Sequence, residues 1–296
     1  IALAKQYDGE IISADSRQIY KGMDIGTAKP TEEEKEGIPH HLMDFLDPRE
    51  EFSVAVFVER AREIIGDISS RGKTPIVAGG TGLYINSLID HIAFTKTETD
   101  FTLREKLKND AREKGNRYLL DLLYEIDRET AETLHPNNIN RVIRALEIYY
   151  TSGITMTQQR KNSRLSESPY HSVLIGLNYH DREKLYDRIN RRVEQMIKSG
   201  LQEEAKQVLR KKICKTAIQA IGYKELIPFF NGECSLEEAV ENIKMESRRY
   251  AKRQITWFKR REDIHWFYMD DEENVKNLSE NVNFLLEYNG FCAKIK

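Results

Sequence analysis

Cysteine is scarce in this chain. Cys214, Cys234 and Cys292 are the three among 296 residues, and they lie far apart. An odd, scattered set argues against a disulfide framework and against a CxxC-type zinc site. A reducing cytoplasm is the simplest compartment. No apolar run approaches the roughly 20 residues a membrane span needs, and the first ten residues carry no signal-peptide pattern, so no membrane partner is expected. An excess of charge of one sign is missing too. The 46 Lys plus Arg stand against 48 Asp plus Glu, a net charge of -2, which alone predicts no polyanion partner. No internal repeat or low-complexity tract is visible. No G-x-x-x-x-G-K-[ST] phosphate loop occurs anywhere in the sequence.

Apolar residues make up 40% of the chain, enough for a substantial core in one large domain or two smaller ones. The first 95 or so residues alternate strand-like and helix-like pieces. Glu10–Ala14 reads as a buried strand. Ser53 caps a helix whose apolar positions Val54, Phe57, Val58, Ala61 and Ile65 fall at helical spacing. Thr74–Ala78 is a second short strand, Gly79–Gly82 the turn after it, and Leu83–Leu88 opens the next helix. Such alternation favours a parallel sheet covered by helices on both faces.

From 96 to 170 the pattern is helical. Leu103–Lys114, Tyr118–Ile126 and Ile139–Tyr150 read as helices, with a stop and a new cap in His135-Pro-Asn-Asn138 and a closing Gly153. Gln158–Pro169 is polar and reads as an irregular, mobile connector. The strand pattern returns at Ser172–Leu177. Asp181 caps a long helix that ends at Gly200. Another helix runs from Leu236 to about Arg261, and Ile264–Tyr268 is expected as a last edge strand. The chain therefore reads as an α/β core, 1–95 with 171–296, interrupted by an all-helical insertion, 96–170.

Several residues suggest chemistry. Asp15 follows the Ile11-Ile12 run, which places a carboxylate at the carboxyl end of a buried strand, the edge where such sheets gather ligands. Taken with Ser16 alone, it reads as a cap for the following turn. Gly79-Gly80-Thr81-Gly82 either cradles an anion on its amides or simply permits a tight turn. Lys244–Arg261 holds eight Lys or Arg and one acid, Glu246. A run so one-signed exceeds what a merely solvated face needs. His40 and His41 point to opposite faces of a strand and are read, with Asp44, as structural rather than as a metal pair. Arg141 and Arg144 either face a polyanion or pair with Glu147.

Four stretches occur in order: Glu10–Tyr20, Tyr20–Pro30, Val77–Tyr84 and Ala220–Glu225. Together they resemble the bacterial tRNA dimethylallyltransferases, also called tRNA isopentenyltransferases. Ser247–Phe258 resembles a further signature of that family. The resemblance reaches to about Asp270. It implies a P-loop NTPase-like parallel sheet flanked by helices, with the helical insertion contacting tRNA. It implies transfer of a dimethylallyl group from dimethylallyl diphosphate to the N6 amine of the adenosine 3′ of the anticodon. The partners implied are the tRNA anticodon stem-loop and dimethylallyl diphosphate, with magnesium as cofactor and no DNA.

By the same resemblance Asp15 is the general base. Asp15, Ser16, Arg17, Gln18, Thr81, Arg104, Gln158, Gln159 and Arg160 face tRNA, and Arg248, Lys252 and Arg253 lie near the diphosphate, the last two able to serve either anion. The family carries its phosphate loop just upstream of the helix that ends near Ile1–Tyr7, so further residues are expected before Ile1. The alternatives are an adenylate isopentenyltransferase of the cytokinin type, a phosphate-loop kinase of a small metabolite, and an RNA-binding module without activity.

Overall fold

The computed structural model describes residues 1–92, 100–163, 167–271 and 277–291. The chain divides into two compact units, 1–88 with 171–296, and 89–170. The boundary expected at 95 and 96, and Cys292, lie outside the described residues.

In the first unit a short helix α1 (Ala2–Gln6) leads into strand β1 (Gly9–Ser13). The one-turn helix α2 (Glu32–Lys35) precedes β2 (His40–His41), and α3 (Val54–Ser70) precedes β3 (Thr74–Ala78). These strands form a parallel sheet in the order β2-β1-β3, with Ile12 opposite His41 on one side and Val77 on the other. Every residue of β1 is buried, which explains its β-branched, uncharged run after Glu10. Helix α3 starts at Ser53, whose hydroxyl accepts from Val56 N–H as an N-cap should. Its buried face carries Phe57, Val58, Ala61 and Ile68. Phe57 stacks on Tyr84 of α4 (Gly82–Ile89) at 4.3 Å between ring centroids, and fully burying a side chain of that size contributes about 1.5–3 kcal/mol.

After the second unit the chain returns through β4 (Leu174–Asn178), and β5 (Ile264–Tyr268) pairs with it in parallel. Among the described residues these two strands form a sheet of their own rather than an edge of the first. The parallel pairing expected from the sequence holds for every strand pair in both sheets. Strand β3 has a partner on one side only, and its residues are correspondingly less buried than those of β1.

In the second unit α5 (Phe101–Lys114), α6 (Asn116–Ile126), α7 (Arg128–Glu132), α8 (Ile139–Ser152) and α9 (Met156–Ser163) surround a core of Leu107, Leu119, Leu123, Val142 and Leu146. Gly153 ends α8 with φ 71°, the left-handed cap that glycine adopts without strain. Of the polar stretch Gln158–Pro169, expected as a mobile connector, Gln158–Ser163 belongs to helix α9 and 167–169 carry no helix or strand. Thr155 and Gln158 exchange hydrogen bonds, Gln158 N–H to Thr155 Oγ1 and Thr155 N–H to Gln158 Oε1, which makes a capping box. Buried Asp127 accepts from Thr157 N–H at 3.0 Å, Thr157 Oγ1 at 2.6 Å and Thr130 N–H at 3.1 Å. Tertiary polar contacts, not an apolar stripe, hold this helix in place.

Candidate active site

Strand β1 runs out at Ser13, and Ala14 N–H still donates to Ala78 O, so the chain leaves the sheet beside the end of β3. Asp15 follows at once. Its Oδ1 accepts from Arg17 N–H at 2.7 Å and Gln18 N–H at 3.3 Å. The cap reading of this residue is therefore correct for one oxygen. Oδ2 has no hydrogen-bond partner among the described residues and remains available. Capping fixes the carboxylate plane, and an oriented, partly exposed carboxylate can accept a proton from a ligand.

The glycine turn is the opposite wall. Thr81 N–H donates to Ala14 O at 3.1 Å, and Thr81 Oγ1 accepts from Ser16 N–H at 3.0 Å while donating to Ser16 Oγ at 3.3 Å. None of Gly79, Gly80 and Gly82 has a left-handed φ. They are glycines because other groups sit where a side chain would project. A Cβ on Gly79 would run into the Ala14 carbonyl, one on Gly80 into the Gln254 amide, and one on Gly82 into the Trp257 indole. Gln254 also donates to Gly80 O at 2.9 Å. Both belong to the long helix α14 (Leu236–Phe258), preceded in the chain by α10 (Arg182–Lys198), α11 (Leu201–Leu209), α12 (Lys215–Ile218) and α13 (Ile227–Phe230). Tyr84 is buried, as its packing role requires, whereas Leu83 stays exposed.

Two further groups that sequence reading did not single out lie within electrostatic reach of this acid. Arg192 of α10 has its guanidinium held below its ordinary basicity by the surrounding protein, with the charge of Asp15 pulling the other way. Tyr250 of α14 has its phenol raised, first by the surrounding protein and then by Asp15, with Arg17 opposing. Both side chains nevertheless open to solvent. Tyr84 is pushed up to about 12, mainly by burial, and feels both Asp15 and Arg17. The signal in the sequence was faint. Arg192 and Tyr250 sit on amphipathic helices at positions that local periodicity assigns to solvent, and only the fold brings them within electrostatic reach of Asp15.

Other expected site residues fall as follows. Arg17 carries only a long contact to Ser16 O at 3.5 Å among the described residues, leaving its guanidinium free to bind. Gln18 is committed internally: Nε2 donates to Thr27 O and Ala28 O at 3.1 Å each, and Oε1 accepts from Ser13 Oγ at 3.0 Å. Arg248 donates to Asn190 Oδ1 at 2.6 Å and lies over the Tyr186 ring. Lys252 and Arg253 are exposed on α14, with Arg253 over the Tyr250 ring at 5.7 Å. In the second unit Arg104 and Arg144 both donate to one oxygen of fully buried Glu147, at 2.7 and 2.9 Å. That settles the choice left open for Arg144 in favour of Glu147, and it gives Arg104 a charge-balancing task. Gln158 serves the capping box, and Arg160 reaches Thr130 Oγ1 at 3.4 Å. Gln159 lies on α9 with them.

Among the described residues no group of three or more His, Cys, Asp or Glu is arranged to hold a metal ion. Asp15 offers a single carboxylate, which is not a magnesium cage by itself. His41 bonds Glu10 and His40 bonds Ile38 O, both structural, as expected. No helix among the described residues is long and apolar enough to cross a membrane.

A strand-end carboxylate held by its own turn stands beside a glycine-threonine turn backed by the basic helix α14, and the proteins this chain is similar to are transferases. The family model described as IPP transferase matches residues 18–261, and the chain belongs to that family. It is 51% identical over 285 residues to the tRNA dimethylallyltransferase of Caldanaerobacter subterraneus subsp. tengcongensis, covering 95% of this chain and 90% of the relative. The tRNA dimethylallyltransferase of Bacillus subtilis is 51% identical over 271 residues, covering 91% and 85%. Among solved structures, the tRNA isopentenylpyrophosphate transferase of Bacillus halodurans aligns with TM-score 0.69 and 44% identity, covering 97% of this chain and 91% of that one. A eukaryotic dimethylallyltransferase acting on tRNA aligns with TM-score 0.81 and 29% identity, covering 99% and 76%.

Proposed function

We propose that this chain modifies tRNA by prenyl transfer, moving the dimethylallyl group of dimethylallyl diphosphate to the N6 amine of the adenosine 3′ of the anticodon. The observation that carries the reading is the half-capped Asp15 just past the carboxyl end of β1. An aromatic amine is a weak nucleophile. As its nitrogen bonds to the allylic carbon, the carbon–oxygen bond to diphosphate breaks and the electron pair leaves with diphosphate. Asp15 Oδ2 takes the amine proton as that bond forms, and such positioned proton transfer contributes about 10²–10⁴-fold. The departing diphosphate needs cations. Arg192, without a hydrogen-bond partner among the described residues and within electrostatic reach of Asp15, is one candidate, with Arg248, Lys252 and Arg253 on the neighbouring helix.

To reach Asp15 the adenine must leave its stack, at a cost of about a few kcal/mol. We assign Arg17 and Thr81 to meet it, and Gln159 and Arg160 on α9 to contact the stem-loop. The residues described do not make a magnesium site on their own.

Incubation of the full-length protein with isotopically labelled dimethylallyl diphosphate, and with either an anticodon stem-loop or AMP, tests the proposal. Label is expected in the stem-loop adenosine. Label in AMP alone would move the protein to the adenylate class. Inertness toward the prenyl donor, with phosphate release from ATP, would move it to the kinases.

A further inference from the structure

Between Tyr20 and Pro30 the chain makes a turn-rich loop with no strand or helix of its own. Ala28 and Lys29 N–H bond within the loop, to Ile25 O and Asp24 O, but others need partners from elsewhere. Three successive ones, from Asp24, Ile25 and Gly26, converge on a single side chain, Glu204 of α11. Oε2 accepts from Asp24 N–H and Ile25 N–H at 2.8 Å each, and Oε1 accepts from Gly26 N–H at 2.9 Å. Oε1 also accepts from Tyr223 Oη at 2.6 Å. Consecutive amides turned inward make an anion nest, and here the protein's own carboxylate fills it with four donors. Tyr223 is fully buried, and its ring occupies the space a side chain on Gly26 would take.

The far end of the same loop reaches the active site. Ala28 holds φ +50°, a left-handed conformation that costs an alanine energy and persists only where its surroundings impose it. The carbonyls of Thr27 and Ala28 take both Nε2 hydrogens of Gln18, and Gln18 N–H caps Asp15 Oδ1. With both amide hydrogens used inside the protein, Gln18 has no donor left for a nucleobase. Its service to the site runs through Asp15.

We propose that Glu204 is a positioning residue for the Asp15 site: by gathering the amides of residues 24–26 it fixes the Thr27 and Ala28 carbonyls, which fix Gln18, which orients the carboxylate. The proposal rests on the assignment of Asp15 as the base. It places the control of that base on a helix that does not touch it, and it gives Tyr223 and Gly26 a common purpose.

Glu204→Gln keeps the size but turns an N–H₂ toward backbone N–H donors, so part of the nest is lost. The test is a double-mutant cycle of Glu204→Gln with Gln18→Ala in the full-length protein. It is read as single-turnover transfer to an anticodon stem-loop at saturating stem-loop and dimethylallyl diphosphate, alongside urea midpoints. Misplacing a reacting group by about 1 Å costs up to about 10²-fold, so Glu204→Gln is expected to slow transfer at least about tenfold. In the Gln18→Ala background it should slow transfer by less than about threefold, because the path through Gln18 is already cut. A merely structural role would give the same fold-loss in both backgrounds and would overturn the proposal, as would parental rates for Glu204→Gln.

Hydrogen exchange guards against a variant that fails to fold. In the unmutated protein the amides of Asp24, Ile25 and Gly26 should be protected, and exchange at free-peptide rates would also overturn the proposal. Asp15→Asn is assayed in parallel. Parental turnover there removes the base assignment, while the coupling between Glu204 and Gln18 is read from its own cycle.

Discussion

Asp15 has two jobs in this structure, and one substitution separates them. Oδ1 closes the turn by accepting from Arg17 and Gln18 N–H, while Oδ2 stands open. Asp15→Asn keeps a carbonyl oxygen that can accept the same two N–H groups, so the turn survives. The bonds lose their charge assistance, which lowers a hydrogen bond from about 1.5–3 to about 0.5–1.5 kcal/mol net. At a partly exposed turn the total cost should be about 1–2 kcal/mol, or roughly 2–4 °C in Tm per kcal/mol for a chain near this size. The amide cannot accept the amine proton, so the loss in transfer rate should be about 10²–10⁴-fold, equivalent to about 3–5 kcal/mol of barrier. Binding of the stem-loop, measured by filter retention, should change little. Asp15→Ala should add the loss of the cap, about 0.5–2 kcal/mol, without a further large drop in rate. A single-turnover rate for Asp15→Asn within threefold of the parent would refute the base role. A collapse in Tm matching the collapse in rate would show that the residue is only a cap.

Three other outcomes follow from groups away from the chemistry. Glu10 is buried and receives Arg71, Lys73 and His41, and the Arg71 bonds above all hold its carboxyl well below the usual carboxylate range, against burial. Its contribution is therefore present above the unfolded value of 4.5 and lost as pH falls below it toward the depressed folded value. Glu10→Gln should cost about 3 kcal/mol near neutral pH and flatten the fall of Tm between about pH 4.5 and 3, read by calorimetry; an unchanged acid limb would contradict this. Asp127→Ala should leave Thr157 and Thr130 N–H groups unpaired at a cost of about 2–3 kcal/mol, with faster hydrogen exchange over 156–163 and weaker stem-loop binding; unchanged exchange there would mean α9 is held by something else. Gly79→Ala forces a methyl into the Ala14 carbonyl, so turnover should fall at least tenfold with a stability cost of about 1–3 kcal/mol; normal kinetics would show that the end of β1 yields easily.

Much of the fold was legible because it is carried by local chemistry. Thr74–Ala78 and Ile264–Tyr268 are strands as read, and Ser53 and Asp181 both cap helices with their side chains. Helix α9 was misread because its residues show no apolar periodicity. Yet Thr155-Met-Thr-Gln158 is a capping-box pattern that stood in the sequence and was passed over. Helix α11 was missed although Leu201, Ala205 and Val208 repeat at helical spacing and are buried. At the site, Asp15 and Thr81 were singled out from motifs, and the bonds that tie the two segments together run between Thr81 and Ser16. Arg192, Tyr250 and Glu204 were not, since each acts on a partner distant in sequence. Gln18 was visible as a polar group, but the Thr27 and Ala28 carbonyls that occupy it were not.

The turn after β3 takes its form from what presses on it rather than from its own backbone freedom. Hydrogen at position 80 makes room for an amide at 254, and hydrogen at 82 for an indole at 257. Those positions are locked in pairs by volume. A larger residue on the turn becomes tolerable only when its counterpart on the helix shrinks, so diversification of this wall has to proceed by coordinated exchange across two distant stretches of the gene.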